Sequence, residues 1–366
     1  SVITSHHGWK TFDVVVNIGE TMNKRNDDFV SSSTNNNYHS SVVIGDVIYS
    51  STYYDSSDAT DYPIDVPSSA FQNTHTGHGG QLIYGINTTI GGTAGLEYAT
   101  YYGSAVNTDS YLEFIDIDKD AAGNIYVGGY TYNNYNADDI LTADAVQTYS
   151  SLAALDNENG SYAGWVAKFD PTLSELKYAT LIAPLMYPDE YLDGQYYPKF
   201  DVTDNGDIYF FENWSINASD PIDFDNLIIA PTNNLKHISP LATEPDDPDD
   251  FSFNTITKIA ANNPSVYDYI ATFGGTYNYD YTAGGMVDSK GRAHFVYQTI
   301  YDASGVAPLA TDGALQSYYA SNTEGFIQYV VLSPTANLEY ATVLGASLDL
   351  GNIYSYPTDI YVTENC

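Results

Sequence analysis

IDIDKDAAGNIYVGG, residues Ile115–Gly129, reads as two strands about a tight turn. Ile115 and Ile117 alternate with Asp116 and Asp118, the period-two pattern of a half-buried strand. Gly123-Asn124 supplies the turn, and Ile125-Tyr126-Val127 resumes a β-favouring run. Further along, LKYATLIA (Leu176–Ala183) reads as a strand that closes the same unit.

Versions of this pair recur along the chain. The first comprises VVIGDVIYSSTYY (Val42–Tyr54), QLIYGINTT (Gln81–Thr89) and LEYATYYGS (Leu96–Ser104). The second is built on the opening stretch, with GWVAKFDP (Gly164–Pro171) before LKYATLIA. FDVTDNGDIYFF (Phe200–Phe211), NTITKIA (Asn254–Ala260) and YDYIATFGG (Tyr267–Gly275) make the third. GGMVDSKGRAHFVY (Gly284–Tyr297), GFIQYVVLSP (Gly325–Pro334) and LEYATVLGAS (Leu338–Ser347) make the fourth. Gly45, Gly123, Gly206 and Gly291 keep the register, at a period of about 80 residues with variable loops.

Each unit has a hairpin, a long loop and two further strands. Four antiparallel strands per repeat define a propeller blade, which exposes both faces alone and is stable only when stacked on its neighbours. The sequence therefore predicts an all-β fold, a β-propeller of four-stranded antiparallel blades at about 38–104, 111–183, 200–275 and 284–347, with a partial repeat at 355–366. Residues 1–37 form a separate N-terminal strand, at Val14–Val16, and a polar loop ending in Ser31–Asn37. Two ways of completing the ring stay open: residues beyond this chain, or closure as about five blades by the terminal strand and a strand near Phe12–Asn17.

Composition bounds the setting. Lys and Arg number 11 against 47 Asp and Glu, a formal charge of -36 that repels nucleic acid and anionic membranes. The 36 Tyr and 14 Phe supply more aromatic mass than a disordered acidic chain carries. No run approaches the roughly 20 apolar residues of a membrane span. Cys366, the only cysteine, excludes an intrachain disulfide.

The repeats resemble the bacterial SBBP-repeat family, a β-propeller repeat. The resemblance rests on the Asp120/Gly123-Asn124-Ile125-Tyr126-Val127-Gly128-Gly129 hairpin and on the loop signature Ala70-Phe71-Gln72, Ala145-Val146-Gln147 and Ala314-Leu315-Gln316, which the third repeat lacks. Gly164-Trp165-Val166-Ala167-Lys168-Phe169 adds the third strand. The resemblance covers about residues 38–347. It implies a secreted or surface-exposed bacterial protein and carries over no catalytic residues.

Few residues point to chemistry. Asp116-x-Asp118-x-Asp120 followed by Gly123 outlines the opening of a calcium loop, so Asp116, Asp118, Asp120 and Asn124 are the candidate calcium ligands. Position 12 of that loop is Val127 in place of the bidentate Glu, which excludes the helical version. The competing reading turns the isoleucines to the core and the aspartates to solvent. Asp201, Asp204 and Asp207 form a weaker group of the same kind.

Glu244–Asp250 (EPDDPDD) reads as an extended, solvated acidic loop. His6, His7, His75, His78, His237 and His294 are scattered and suggest no complete zinc site. Sequons at Asn87, Asn159, Asn213 and Asn217 suggest exposed loops. No nucleophile elbow, phosphate loop or Cys-pair zinc motif is present.

These features favour an extracellular structural or adhesive module of a larger bacterial surface or secreted protein, serving attachment or appendage assembly. Its partners would be other protein subunits, cell-surface glycans or further copies of itself. The alternative is a secreted carbohydrate-active hydrolase or lyase with carboxylates in an axial funnel.

Overall fold

The computed structural model describes residues 2–6, 9–13, 41–54, 66–74, 80–90, 92–104, 112–132, 138–148, 150, 162–183, 185–186, 191–192, 199–217, 228–229, 232, 234–238, 251–277, 281–299, 309–315, 317 and 326–344. Strands β1 (Val2–His6) and β2 (Trp9–Asp13) pair as a hairpin. The expected strand at Val14–Val16, the polar tract after it, His7, His75, His78, the acidic run Glu244–Asp250 and the partial repeat 355–366 lie outside the described residues.

The described chain is all-β, and most of it lies in four successive antiparallel sheets. The first joins β3 (Ser41–Ile44), β4 (Val47–Tyr54), β5 (Gly80–Asn87) and β6 (Leu96–Tyr102) in sequence order. The second joins β7 (Leu112–Lys119), β8 (Ile125–Tyr132), β9 (Tyr162–Phe169) and β10 (Leu176–Ile182) in the same way.

The third region contains β11 (Leu185–Met186), β12 (Tyr191–Leu192), β13 (Lys199–Val202), β14 (Ile208–Asn217), β15 (Ile228–Ile229), β16 (Leu235–His237), β17 (Phe251–Ile259) and β18 (Tyr267–Tyr277). Its four principal strands run β13-β14-β17-β18; β12 extends β14, β11 pairs with β15, and β16 adds a parallel edge beside β18. The fourth sheet joins β19 (Tyr281–Val287), β20 (Ala293–Thr299), β21 (Phe326–Leu332) and β22 (Leu338–Leu344).

The first hairpin of every sheet turns through its register glycine with positive φ: 60° at Gly45, 80° at Gly123, 87° at Gly206 and 74° at Gly291. Side chains other than Asn and Asp are strained in that region, which explains the repeated glycine.

The sheets stack in chain order. β7 lies against β3, β4 and β5; β13 lies against β7 and β8; β19 lies against β13 and β14. The first strand of each sheet thus rests on the leading strands of the sheet before it. The hairpin turns share one end, since Ala121 N–H donates to the Asp204 carbonyl at 3.0 Å and Gly123 faces the Ile44 side chain. Antiparallel pairing ends the second strand of each sheet and begins the third at the opposite end, while the described parts of the connections between them, 66–74, 138–148, 234–238 and 309–315, lie along the fourth strands.

Aromatic rings fill the spaces between sheets. Tyr102 of β6 meets Trp165 and Phe169 of β9, with ring centroids 5.6 Å away in both cases. Phe200 and Phe210 of the third sheet lie against Gly128 and Gly164 of the second. Burying such a ring contributes roughly 2–3 kcal/mol over leaving it in water. Tyrosine also hooks one sheet to the next through its hydroxyl. Tyr49 donates to the Pro171 carbonyl at 2.7 Å, Tyr178 to Pro264 at 2.7 Å and Tyr209 to Gly291 at 3.2 Å.

The Ala-x-Gln loop fastens the fourth strand. Gln147 Nε2 donates to the Ala183 carbonyl at 2.6 Å, while its Oε1 accepts from Ala183 N–H at 2.7 Å, so the side-chain amide extends the ladder past the end of β10. Tyr267 of the next sheet donates to the same Oε1 at 2.5 Å. Gln72 repeats part of this, its Oε1 accepting from Gly103 N–H at 3.3 Å while its backbone exchanges bonds with Thr100 and accepts from Tyr101 N–H at 2.9 Å. In the third sheet, which lacks the motif, β16 takes that edge and His237 Nδ1 lies 2.8 Å from Thr272 Oγ1.

Gln147→Ala is expected to lower stability by about 2 kcal/mol, because it leaves the Ala183 carbonyl and the Tyr267 hydroxyl without their partner and the Ala183 N–H with only a 3.3 Å contact to the Tyr267 oxygen. Urea unfolding measures the loss, and hydrogen exchange at Ala183 should accelerate. A loss below about 0.5 kcal/mol would show that water replaces the side chain at no cost.

Candidate functional site

Among the described residues, the acidic row of β7 and its turn gathers several closely engaged ionisable groups. Asp120, 6% exposed, occupies the turn between β7 and β8. It accepts from Ala122 N–H at 3.0 Å, Asn124 N–H at 2.9 Å, Asn124 Nδ2 at 2.6 Å and the Tyr126 hydroxyl at 3.0 Å. Lys168 Nζ completes the set at 3.1 Å. Burial works to raise its pKa, but the Asn124 and Lys168 hydrogen bonds and the Lys168 charge outweigh burial, and the net direction is down. Asn124 is equally engaged, its Oδ1 accepting from Lys177 Nζ at 2.8 Å.

Asp120 and Asn124 are therefore brought together as a hydrogen-bonded turn. Asp116 and Asp118 stand along β7 and are directed elsewhere: Asp116 accepts from Ile117 N–H at 2.9 Å, and Asp118 reaches the third sheet. Among the described residues no group of three or more His, Cys, Asp or Glu is placed to hold a metal ion. Of the four candidate calcium ligands, Asp120 and Asn124 are brought together, and Asp116 and Asp118 have other partners. The alternative expectation, aspartates turned to solvent, fails for Asp120 because the turn needs an acceptor for its inward N–H groups.

The constellation that sequence reading missed joins Asp118 of β7 to Asp201 of β13. Each stands five residues before its turn glycine, so the repeat places them at matching positions. Val202 N–H donates to Asp118 Oδ2 at 2.7 Å and to Asp201 Oδ1 at 2.9 Å. Two carboxyl groups thus converge on one backbone N–H. Their other oxygens accept from Lys119 N–H at 2.7 Å and Val287 N–H at 2.5 Å. Through Val202 and Val287 the pair links the first strands of the second, third and fourth sheets.

A single N–H cannot neutralise two adjacent carboxylates. Burial, then the Asp201 charge and a hydrogen bond with Asp201, push Asp118 up to about 8, against the pull of the Lys119 and Val202 N–H groups. Burial also raises Asp201, opposed by the Asp118 hydrogen bond and the Val287 and Val202 N–H groups and assisted by Asp116. The two titrate as a unit.

Several other acidic residues have structural partners. Asp207 pairs with Lys258 Nζ at 3.3 Å, which also meets Asp268 at 3.0 Å. Asp204 offers its carbonyl to Ala121. In the fourth sheet Asp288 takes Arg292 Nη2 at 2.6 Å and lies 3.3 Å from His294 Nε2, while His294 Nδ1 lies 2.8 Å from the Tyr329 hydroxyl. Burial raises the Asp288 pKa, yet its bonds to Arg292, His294 and the Lys290 N–H bring it down to about 2.

The sequon at Asn213 does not mark an exposed loop. Asn213 is buried in β14, with its amide 3.4 Å from the Phe253 carbonyl and Asn254 Oδ1. Neither a family model nor a curated protein matches the chain.

Proposed function

We propose that the four sheets are blades of a β-propeller of the SBBP-repeat kind, and that the protein is an extracellular structural or adhesive module of a bacterial surface or secreted protein. What supports this reading most is the repetition of a four-stranded antiparallel sheet, each resting on the one before it, with a long connection of variable length between its second and third strands. The hairpin turns join sheet to sheet, and the variable connections are the segments offered to a partner, a glycan or another copy. The described carboxylates with the strongest interactions are engaged in turns or between sheets, an arrangement suited to a scaffold.

The test is binding of the purified chain to bacterial surface glycans and surface proteins. Saturable binding that is lost when the chain is shortened within 151–161 or within 239–250, with the fold retained, is the expected result. Defined turnover of a polysaccharide or peptide, abolished by substitution of a carboxylate, would replace this reading with an enzymatic one.

A further inference from the structure

We propose that copies of this chain associate head to tail, with the Ala314-Leu315-Gln316 loop of one copy's fourth sheet seated on the outer face of the next copy's first sheet. Among the described residues the exposed large apolar side chains are Val43, Phe71, Ile90 and Leu315, and Leu315 is the most open at 81%. Val43 and Ile90 stand at the turn end of the first sheet, while Leu315 belongs to the loop fastened beside β22. These two open places lie at the first and the last of the four sheets, where the stack has no further described sheet to continue it.

Register identifies the seat. Val43 pairs with Ile48, Ile48 with Ile86 and Ile86 with Leu96, an apolar row across all four strands of the first sheet. Val42, Ile44, Val47 and Tyr49 pack toward the second sheet, so strand alternation turns Val43 and Ile48 to the opposite face. The corresponding rows of the later sheets run through Ile125 and Phe169, Ile208 and Ile259, and Ala293 and Leu332. Each of those residues is at most 3% exposed, because the preceding sheet lies on its row. In the first sheet Val43 is 52% exposed and Ile48, Ile86 and Leu96 are only half-buried. Further along the same face Leu82 and Tyr101 are covered, with Val66 packed on them, so the turn end is the part left open.

The knob that fits this seat is defined inside the chain. Phe71, the middle residue of the first Ala-x-Gln loop, sets its ring on Phe169 with centroids 5.9 Å apart and donates its N–H to the Leu173 carbonyl at 2.9 Å. Phe169 is the row residue of the second sheet that answers to Ile86 in the first. Val146, at the same loop position, is buried. Leu315 takes that position in the fourth sheet, on a loop fixed by the Thr311 N–H to the Ala341 carbonyl at 3.1 Å and the Ala314 N–H to the Thr311 carbonyl at 3.0 Å. An ordered leucine and an apolar row are thus the two halves of the contact that joins the first sheet to the second. Both remain open in the folded chain, so one copy does not make the contact with itself and a second copy continues the stack. Such a heterologous contact closes into a ring or runs on as a filament. The formal charge of -36 on each copy opposes it, and salt relieves that repulsion. The inference deepens the reading above, on which its place in a surface assembly rests.

Sedimentation velocity of the intact chain tests this, in reductant so that Cys366 makes no disulfide, at about 20 mM and about 500 mM salt. The wild type should form species larger than a monomer as its concentration rises, and more of them at the higher salt. Leu315→Asp and Val43→Asp alter exposed side chains, and each should raise the concentration needed for association by more than about tenfold. An equimolar mixture of the two variants should form a dimer and nothing larger, since Leu315→Asp keeps the row and Val43→Asp keeps the loop. A wild type that stays monomeric at both salt levels would overturn the proposal. So would association that neither variant weakens, or a mixture of folded variants that stays monomeric. The wild-type measurement needs no variant, so a substitution that fails to fold still leaves a decision. The binding test above shortens other segments, so that reading and this one fail separately.

Discussion

Asp120→Ala is expected to cost about 3–5 kcal/mol in urea unfolding, the range for removing one partner of a buried ion pair. The alanine would leave Lys168 without its carboxylate and the N–H groups of Ala122 and Asn124 without their acceptor. Asn124 and Tyr126 would lose a partner as well. Water reaches this turn poorly, because Asp120 and Asn124 are buried and Tyr126 is wholly enclosed. Asp120→Asn should cost less than alanine, since its Oδ1 still accepts from backbone. It would nonetheless set its own NH2 group against donors.

The pH dependence separates this turn from the Asp118 pair. Asp120 and Asp288 have folded pKa values below their unfolded ones, so their contribution is present above the ordinary carboxylate range and is lost as pH falls through the folded values. Asp120→Ala should therefore flatten the acid side of the stability profile and leave the alkaline side unchanged. A loss under about 1 kcal/mol would mean that the turn is held by its backbone alone.

The second large effect is expected at Gly285. A Cβ there would meet the Phe211 ring at 2.1 Å, well inside contact distance. Phe211 cannot retreat easily, being fully buried with its ring 5.6 Å from that of Phe295. Gly285→Ala should cost about 3 kcal/mol, at the upper end for overpacking a core. Phe211→Leu in the same chain should recover part of this, making the double variant at least about 1 kcal/mol more stable than the two single losses added together. Additive losses would show that the clash is absorbed by backbone movement instead of by the ring.

Much of the architecture was legible because it is periodic. The turn glycines, the recurrent closing strands such as LKYATLIA and the alternation at Ile115–Asp118 each report a local rule, and the four-stranded sheets follow from adding those rules. Less of the site was. Asp116, Asp118, Asp120 and Asn124 attract notice as a linear motif, but a strand sends alternate residues to different neighbours and those neighbours come from other repeats. Asp118 finds Asp201 across a sheet boundary, and Asp120 finds Lys168 across two strands. Matching residues by offset from the turn glycine, repeat against repeat, would have paired Asp118 with Asp201. No such signal announced that Gln147 would cap a ladder, or that β16 and His237 would take that edge in the third sheet. The sequon at Asn213 misled because it reports a tripeptide and not the strand around it.

The arrangement of the sheets as blades about a common line is the claim on which the functional reading depends. Electron-spin distance measurements test it most directly. With Cys366 changed to serine, label pairs are placed on exposed residues at the outer connections of successive sheets: Thr89, Thr172, Asn262 and Thr335. Blades that fan about an axis should give a Thr89–Asn262 distance clearly shorter than the sum of Thr89–Thr172 and Thr172–Asn262, and the same shortening for Thr172–Thr335. Distances that add along a line would contradict the fan and show four sheets stacked as a straight array.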